Sequence, residues 1–529
     1  MTCPHHASPR PMLFESLEPR LLLDGAHFVV DSLADITLSD VVMDVPRFKL
    51  TLSNPEAWSK GDPDRPHPDL LGDFDGNGAF NGLDIPGFKT ALSGAVAAAS
   101  APLDGSRSMG VDAEAVGVSS VKLASLGPVR VLGRDLLVNG QPYTVKSVGY
   151  APVPIGSNPE WGYDVTVHPE LRARDFPLLR RMGVNTIRTW GKVGQEGFLD
   201  DAYNGGERPI RVIMGYWMGA YRDYRDPAVR QAVKDDFRAY VAAYKDHPAV
   251  LVWAIGNEEN HFYAQGDNAR HAAYFSLVDE MAREAWLEEG EDYHPVMAIA
   301  LEMPGRMDTV GNGAGGADDA SLPHVDLWGI NHYPGSTFGS FFDDYTAHSS
   351  KPLIVTEYGI DAWNYQSGAE YEAVQAQWGV SLWEEIEAGP AAGGSLMEYS
   401  DERWKDYGGS AWLHDLGGYA TTSHPDQYAN EEWWGVMRTV DNGSAPDIMQ
   451  PRAIYDALQA EFVLRGDFDG NGAVNGLDIP DFKEALADPE AWSAAHPDAP
   501  PAHRLGDVDG NGAFNGLDIP GFKQILGGG

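Results

Sequence analysis

The sequence predicts an α/β protein whose largest part is a (β/α)8 TIM barrel. From Val129 to about Phe462, apolar runs of β-forming residues alternate with helical patterns, which is typical of βαβ units and a parallel sheet. Eight such runs can be counted, the number of strands that closes this barrel. Helical patterns such as those at Pro227–Tyr244 and Arg270–Glu288 follow the runs. An open, doubly wound sheet is the alternative, although no G-x-G-x-x-G follows an early strand to support nucleotide binding there.

The predicted strands are short and end at turn residues, as buried parallel strands do. The eight runs are Tyr143–Tyr150, Val184–Trp190, Ile210–Trp217, Val250–Ile255, Pro295–Leu301, Val325–Asn331, Pro352–Glu357 and Ser395–Tyr399.

Length and composition limit the class of protein. A chain of 529 residues exceeds the size of a single hydrophobic core, so more than one folding unit is expected. The 15 tryptophans and 43% hydrophobic residues exclude a mostly disordered chain. A net charge of −40 argues against nucleic acid or an anionic membrane as a partner. No apolar run is long enough for a membrane-spanning helix, and Cys3 is the single cysteine, so no intrachain disulfide can form.

Repeated segments occur towards both ends of the chain. A Gly-Asp-x-Asp-Gly-Asn-Gly motif opens residues 72–89 and recurs in 466–483 and 506–523, and a worn fourth copy precedes the first. Small α-helical modules are therefore expected at both ends. The predicted organisation is an export-like segment at 1–30, a repeat pair at 31–94, a linker rich in Ala, Ser and Gly at 95–127, the barrel at 128–462, and a second repeat pair at 463–529.

Each intact repeat has the spacing of a calcium-binding loop. Oxygen-bearing side chains occupy loop positions 1, 3, 5, 9 and 12, glycine occupies position 6, and alanine offers its carbonyl at position 7. The pattern predicts bound Ca²⁺, with Asp/Gly-rich turns that hold no metal as the alternative. The predicted ligands are Asp73, Asp75, Asn77, Ala79, Asn81 and Asp84, then Asp467, Asp469, Asn471, Ala473, Asn475 and Asp478, and finally Asp507, Asp509, Asn511, Ala513, Asn515 and Asp518.

In each repeat the last ligand is Asp, followed by Ile-Pro and one short helical pattern. This arrangement resembles the EF-hand-like modules of type I dockerins. The resemblance implies a cohesin-type scaffold as partner. Gly476-Leu477 and Gly516-Leu517 stand where dockerins usually carry Ser/Thr recognition residues, and the Pro-rich stretch 494–501 separates the last two copies more widely than usual. Pairing of the two ends of the chain is the alternative.

Two glutamates follow apolar runs at positions where barrel enzymes carry their chemistry, the C-terminal ends of the strands. Glu258 ends the segment 250–258, and Glu357 ends the segment 353–357; these are the fourth and seventh predicted strands. Two carboxyls about 5 Å apart can protonate a glycosidic oxygen and attack the anomeric carbon. Ordinary ion pairs at strand ends are the alternative, and Glu259 and Glu398 are competing carboxylates.

The Asn-Glu pair at strand four and the Glu at strand seven resemble glycoside hydrolase clan A. The resemblance implies a retaining glycosidase that acts on a β-linked polysaccharide or oligosaccharide, with Glu258 as acid/base, Glu357 as nucleophile and no cofactor needed for catalysis. The nearest likenesses are the barrel of family 2 glycosidases and the β-1,3-glucanosyltransferases. Family 2 enzymes usually carry β-sandwich domains before the barrel, for which this chain has little room, and the transferases usually carry disulfides.

Further residues are predicted to bind the substrate or the nucleophile. Arg188 and Tyr333 are expected to stabilise Glu357 by charge and by a hydrogen bond, and the Asn257 amide is expected to bind the sugar 2-hydroxyl. The aromatic residues Trp190, Trp363 and Trp404 are predicted to stack on sugar rings.

Two other functions stay open from the sequence: a β-glucan transglycosylase, and a catalytically inactive, calcium-dependent carbohydrate-binding or adhesion protein. The segment Phe14–Gly25 resembles one found near the start of large exported proteins in environmental bacteria. That resemblance implies a bacterial protein that is secreted or held at the cell surface.

Overall fold

The computed structural model describes residues 125–405, 410–443 and 446–527. The chain separates into two compact units, residues 1–123 and 124–529, and all the described residues belong to the second. The predicted export-like segment, the N-terminal repeats and nearly all of the linker lie outside the described residues. So do the predicted ligands of the first intact repeat, which are Asp73, Asp75, Asn77, Ala79, Asn81 and Asp84.

Eight parallel strands close into a barrel, which confirms the predicted fold. Each strand pairs with its neighbours in chain order, and the last pairs with the first. Almost every strand residue is buried, because side chains fill the interior and helices cover the outside. The strands are β1 Val145–Gly149, β2 Thr186–Arg188, β3 Arg211–Tyr216, β4 Val250–Ile255, β5 Val296–Leu301, β6 Leu327–Asn331, β7 Leu353–Tyr358 and β8 Gly393–Leu396.

Helices follow the strands on the outside of the barrel. They are α1 Pro169–Met182, α2 Glu196–Tyr203, α3 Pro227–Tyr244, α4 Glu259–Phe262, α5 Asn268–Glu289, α6 Phe341–His348, α7 Glu372–Ala388 and α8 Ala453–Phe462. Local signals set their ends: Asp226 caps α3 by accepting from the Ala228 amide, and Pro227 occupies the first turn. Between β5 and β6 the described chain forms a 3₁₀ turn at Gly313–Gly315 in place of an α-helix.

Short antiparallel strands are added to the barrel. A three-stranded meander of Val129–Leu132, Asp135–Val138 and Gln141–Pro142 precedes β1, and its buried side chains share an apolar cluster with barrel strands. Three hairpins follow β7 and β8. They pair Trp363–Asn364 with Ala369–Glu370, Gly418–Ala420 with Tyr428–Asn430, and Met437–Val440 with Ile448–Pro451.

Four short helices form a module after the barrel: α9 Ile479–Ala487, α10 Pro489–Ala495, α11 Ala502–Gly506 and α12 Asp518–Gly527. Its own apolar cluster includes Phe468, Phe482, Trp492 and Phe522. The rings of Phe482 and Phe522, at equivalent positions of the two repeats, stack with their centroids 3.9 Å apart. The two repeats thus pack against each other.

Arg208 binds this C-terminal module to the barrel. Arg208, in the loop before β3, donates from Nη2 to the carbonyl of Phe468, and burial lowers the pKa of Arg208. A Cβ added at Gly470 would lie 2.2 Å from the Arg208 side chain, so the loop glycine leaves room for it. Just before the module, at the end of α8, the Phe462 carbonyl accepts from Lys146 Nζ of β1 at 2.8 Å.

Within the described part of the chain, no helix combines the length and the apolar character needed to cross a bilayer.

Candidate active site

The two predicted catalytic glutamates open into the same cavity. Glu258 lies just beyond the C-terminal end of β4, and Glu357 is the penultimate residue of β7. Both line a cavity of about 1360 Å³ together with Asn257 and Tyr333. The cavity therefore lies at the end of the barrel where (β/α)8 enzymes carry their chemistry.

Glu357 is held by three donors, two at the end of β2 and one just after β6. Arg188 Nη1 donates to its Oε1 at 2.7 Å, and the Trp190 indole N–H donates to the same oxygen at 2.8 Å. The Tyr333 hydroxyl donates to Oε2 at 2.5 Å. A guanidinium and two neutral donors on one carboxylate stabilise negative charge, which a nucleophilic carboxylate requires.

Glu258 has a contrasting environment. Burial, together with the negative charge of Glu357, raises the pKa of Glu258 to about 8. Asn331 Nδ2 donates to Glu258 Oε1 at 2.8 Å, which fixes the orientation of the carboxyl group. The backbone of Glu258 is left-handed, with φ 68°, a conformation that is uncommon for a side chain of this size and recurs at functional sites. A carboxyl with this pKa carries a proton at neutral pH, as a general acid must.

A buried network joins the two glutamates. Arg188 is fully buried and donates from Nη2 to Asn257 Oδ1 at 2.6 Å. Asn331 Nδ2 donates to the same Asn257 oxygen at 3.1 Å, and Thr356 Oγ1 donates to Asn331 Oδ1 at 2.8 Å. Because two donors occupy the Asn257 amide oxygen, its NH₂ group is the part left to donate to a ligand.

Glu259, a competing carboxylate in the sequence, supports the backbone instead. It is buried, and its Oε2 accepts from the Asn257 amide at 2.6 Å and from the Tyr274 hydroxyl at 3.1 Å. Its Oε1 accepts from the Gly219 amide at 3.2 Å. Glu259 therefore positions the Asn257-Glu258 turn and is absent from the residues that line the cavity.

The three predicted sugar-stacking tryptophans have different surroundings. Trp190 and Trp404 line the cavity, whereas the structure does not bring Trp363 to it. The Trp363 ring packs on Trp433 with centroids 4.4 Å apart, because the hairpin after β7 directs it there. Trp190 donates to the Glu357 carboxylate and also forms part of the cavity wall. A Cβ at Gly149 would lie 2.3 Å from the Trp190 ring, so the glycine leaves room for this ring.

A second charged group lines the cavity beyond β8. Lys405 Nζ lies 2.7 Å from Glu402 Oε2 and 3.4 Å from Glu398 Oε1. Burial lowers the pKa of Lys405, but the facing carboxylates outweigh it, so the pKa is raised well above the ordinary value. Glu402, Lys405 and Glu431 line the cavity. None of these three residues was predicted from the sequence; the nearest signal was Trp404, which lies beside Glu402 and Lys405 in the chain.

The C-terminal module gathers acidic side chains in each of its two loops. Asp467, Asp469 and Asp478 place carboxylate oxygens within 4.8 Å of one another, and the aspartates of the last repeat do the same. These last are Asp507, Asp509 and Asp518. Backbone N–H groups shape each loop: Gly472 donates to Asp467 Oδ2 at 3.0 Å, and Gly512 donates to Asp507 Oδ2 at 3.0 Å.

The remaining predicted calcium ligands lie in the same loops. The side chains of Asn475 and Asn515 donate to the carbonyls of Ala473 and Ala513 at 3.2 and 3.0 Å. Asn471 and Asn511 each contact the second aspartate of their loop, Asp469 or Asp509. An all-oxygen donor set of carboxylates, amides and carbonyls fits a hard cation such as Ca²⁺.

Part of the chain matches a family model that describes a TIM barrel. Residues 218–437 match the model of the glycosyl hydrolases family 2 TIM barrel domain. The matched part contains both glutamates and β4 to β8, so the chain contains a family 2-like TIM barrel, and the likeness to family 2 barrels seen in the sequence is confirmed for this part.

Individual relatives share a low sequence identity with this chain. A 1,3-β-glucanosyltransferase of Aspergillus fumigatus is 26% identical over 301 residues, which cover 53% of this chain and 59% of that protein. A probable mannan endo-1,4-β-mannosidase C of Aspergillus terreus is 26% identical over 167 residues, 27% of this chain and 40% of that protein. The chain therefore spans about half the length of these relatives. The crystal structure of a β-galacturonidase from Eisenbergiella tayi bound to galacturonate has a TM-score of 0.44 at 15% identity and covers 65% of this chain and 54% of that one.

Proposed function

We propose that the protein is a retaining glycoside hydrolase that cleaves a β-linked oligosaccharide or polysaccharide by double displacement. The observation that carries the proposal is the contrast between two glutamates in one cavity. Glu357 accepts three hydrogen bonds, one of them from a guanidinium, whereas burial and the charge of Glu357 raise the pKa of Glu258 to about 8. Environments that separate the protonation of two neighbouring carboxyls assign one as nucleophile and the other as acid.

In the first step, a Glu357 oxygen attacks the anomeric carbon while the Glu258 carboxyl gives its proton to the departing glycosidic oxygen. This forms a glycosyl ester on Glu357 and releases an alcohol. In the second step, the Glu258 carboxylate takes a proton from water as the water oxygen attacks the anomeric carbon and frees Glu357. Two inversions leave the anomeric configuration unchanged.

Neighbouring side chains have defined parts in this scheme. The Asn257 NH₂ group is placed to donate to the sugar 2-hydroxyl, a contact that strengthens in the transition state of such reactions. Arg188, Trp190 and Tyr333 hold the nucleophile, so its attacking oxygen keeps a fixed orientation.

Covalent trapping tests the proposal directly. A 2-deoxy-2-fluoro β-glycoside with a good leaving group should add one glycosyl mass to the intact wild-type protein, and peptide mapping should place it on Glu357. Glu357→Gln should take up no label, whereas Glu291→Gln should label like wild type, because Glu291 is exposed and lies just before β5, at the other end of the barrel. Proton NMR of early products should show the β-anomer. A glycosyl mass on another residue, or an α-anomer as first product, would refute the assignment.

Transfer to a sugar hydroxyl is the second candidate, favoured by the 26% identity to a 1,3-β-glucanosyltransferase over 53% of this chain. Both reactions share the glycosyl ester and differ in the acceptor. Incubation with β-1,3-gluco-oligosaccharides at millimolar concentration separates them, since a transferase gives products longer than the substrate and a hydrolase gives only shorter ones. If no oligosaccharide is cleaved or extended while binding persists, the protein is a carbohydrate-binding protein without activity.

We also propose that each C-terminal loop binds one Ca²⁺ through the ligands predicted from the sequence, and that the N-terminal repeat binds another. Binding to a cohesin-type scaffold, or pairing between the two ends of the chain, would extend this role, and the export-like segment suggests a secreted or cell-surface protein in a bacterium. These three ideas come from sequence resemblance alone. Size-exclusion chromatography of the full chain with Ca²⁺ and with a chelator distinguishes a compact, internally paired chain from one with free ends.

A further inference from the structure

We infer that the cavity selects an uncharged sugar, whose adjacent hydroxyl groups bind between Glu431 and Lys405, and that it excludes sugars carrying a carboxylate. This inference names the substrate class of the proposed hydrolase and rests on that function. It comes from three observations: an unpaired carboxylate on the cavity wall, an ammonium beside it, and the charge of the wall as a whole.

Glu431 is the unpaired carboxylate. It opens a 3₁₀ turn, Glu431–Trp433, after the hairpin strand Tyr428–Asn430, and its side chain lines the cavity. Among the described residues its carboxylate makes no hydrogen bond within 3.5 Å and no ion pair within 4.0 Å, although it is half-buried. Burial, and the nearby charges of Lys405 and Glu357 that act in opposite directions, leave its pKa raised. A carboxylate removed from water in this way gains by accepting hydrogen bonds from a ligand.

Lys405 supplies donors on the same wall. Its ammonium has three N–H donors and lies 2.7 Å from Glu402 and 3.4 Å from Glu398. A hydroxyl group both donates and accepts, so two neighbouring hydroxyls can donate to Glu431 and accept from Lys405 at once.

The charge of the wall argues against an anionic sugar. Seven carboxyl side chains and two lysines line the cavity. One lysine, Lys192, is paired with Asp236 at 2.9 Å, and the other, Lys405, is paired with Glu402 at 2.7 Å. A substrate carboxylate would thus face like charges with no unpaired ammonium among the described lining lysines, which disfavours its binding. An amino sugar bound between Glu431 and Lys405 would place its ammonium beside the ammonium of Lys405, which has the same charge.

The first arm of the test uses wild-type protein and matched substrates. A β-linked oligosaccharide is compared with the same oligosaccharide after oxidation of its C6 hydroxymethyl groups to carboxylates, and with a 2-amino-2-deoxy oligosaccharide. We expect kcat/KM for the neutral form to exceed that for the oxidised form by about 100-fold or more. Equal or faster cleavage of the oxidised or the amino form overturns the inference and leaves the proposed hydrolysis intact. Cleavage of none of the three contradicts the proposed function itself.

The second arm tests Glu431. Glu431→Gln should lower kcat/KM for the neutral substrate by about 10- to 100-fold, the loss of one or two charge-assisted hydrogen bonds, chiefly through KM. It should also lower the ratio of kcat/KM for the neutral substrate to kcat/KM for the oxidised one, because a negative charge has been removed from the cavity wall. Glu291→Gln, which removes the same charge outside the cavity, should leave both quantities at wild-type values.

Unfolding temperatures and labelling by the fluoro-glycoside show whether Glu431→Gln is folded and keeps its nucleophile. A folded variant with an unchanged neutral-to-oxidised ratio overturns the assignment of Glu431. If the variant does not fold, Glu431→Asp, which keeps the charge but shortens the side chain, should raise KM while retaining the preference. The wild-type substrate comparison decides the exclusion of anionic sugars in either case.

Discussion

The cavity of the barrel and the acidic loops of the C-terminal module both gather carboxylates, but by different means. In the cavity, Glu258 and Glu357 come from different strands, and each has its own donors from distant parts of the chain. In each loop, three aspartates from one short segment share backbone N–H donors and hold their oxygens within 4.8 Å of one another. Long-range contacts thus give two glutamates different hydrogen-bond partners, whereas a local loop places several aspartates in one shared environment.

Removal of the proposed nucleophile should have the largest effect. Glu357→Gln keeps the size of the side chain but cannot form the glycosyl ester, so kcat should fall by at least about 10⁴-fold. Steady-state hydrolysis of the preferred oligosaccharide measures this. Residual activity within tenfold of wild type would mean that the two glutamates do not have separate roles.

Removal of the proposed acid, Glu258, should have a smaller effect that depends on the leaving group. Glu258→Gln should lower kcat/KM for an oligosaccharide by about 10²- to 10⁴-fold. An aryl glycoside whose leaving group needs no proton should be affected far less in the first step. Similar losses for both substrates would contradict the role of Glu258 as proton donor.

The pH dependence of kcat/KM should follow from the protonation of Glu258. The pKa of Glu258 is raised to about 8, so its acid form is present below that pH and is lost as the pH rises through it. The kcat/KM of wild type for an oligosaccharide should therefore fall above about pH 8. This alkaline limb should disappear in Glu258→Gln, and a limb that persists there would belong to another group.

Calcium removal should affect the C-terminal module and not the cavity. A ligand present at 100 times its Kd stabilises the folded form by about 2.7 kcal/mol, so a chelator should lower the unfolding temperature of the C-terminal module and leave that of the barrel nearly unchanged. Calorimetry of the full chain measures both transitions. Asp478→Asn should weaken the response and the exposed Asp246→Asn should not; an identical curve with and without chelator would exclude structural calcium.

Loss of one donor to the nucleophile should have the smallest effect. Trp190→Phe keeps an aromatic wall but removes the indole N–H that donates to Glu357 at 2.8 Å. Since a hydrogen bond to a charged group contributes about 1.5–3 kcal/mol, kcat should fall by about 10- to 100-fold. Trp217→Phe, which alters another cavity tryptophan, is the control; equal losses in both variants would assign Trp190 to the wall alone.

The barrel could be predicted because strands buried on both faces are continuous apolar runs, and all eight runs overlap strands. The ends of the strands differ from the ends of the apolar runs. The second run was predicted as Val184–Trp190, but β2 is only Thr186–Arg188. Val184 follows the glycine that ends α1, and Trp190 has left the sheet to reach Glu357. Contacts made by the tertiary fold set these limits.

The candidate site could be predicted where its residues end strands. Arg188, Asn257, Glu258, Tyr333 and Glu357 converge because the C-terminal ends of parallel strands meet at one end of a barrel. Asn331 ends β6 and carried the same signal, although it was not selected. Glu402, Lys405 and Glu431 lie in long segments after β8, and Trp363 lies in a hairpin after β7; the paths of such segments depend on packing that local sequence does not encode.

The contact between Arg208 and the C-terminal module also bears on how a shorter form of the protein is to be prepared. A chain ended at Phe462 would lose the Phe468 carbonyl that accepts from Arg208. It would also turn the Phe462 carbonyl, the acceptor of Lys146, into a charged terminus. A shortened version of the barrel is therefore best designed with a polar, uncharged residue at position 208 and several residues kept beyond 462.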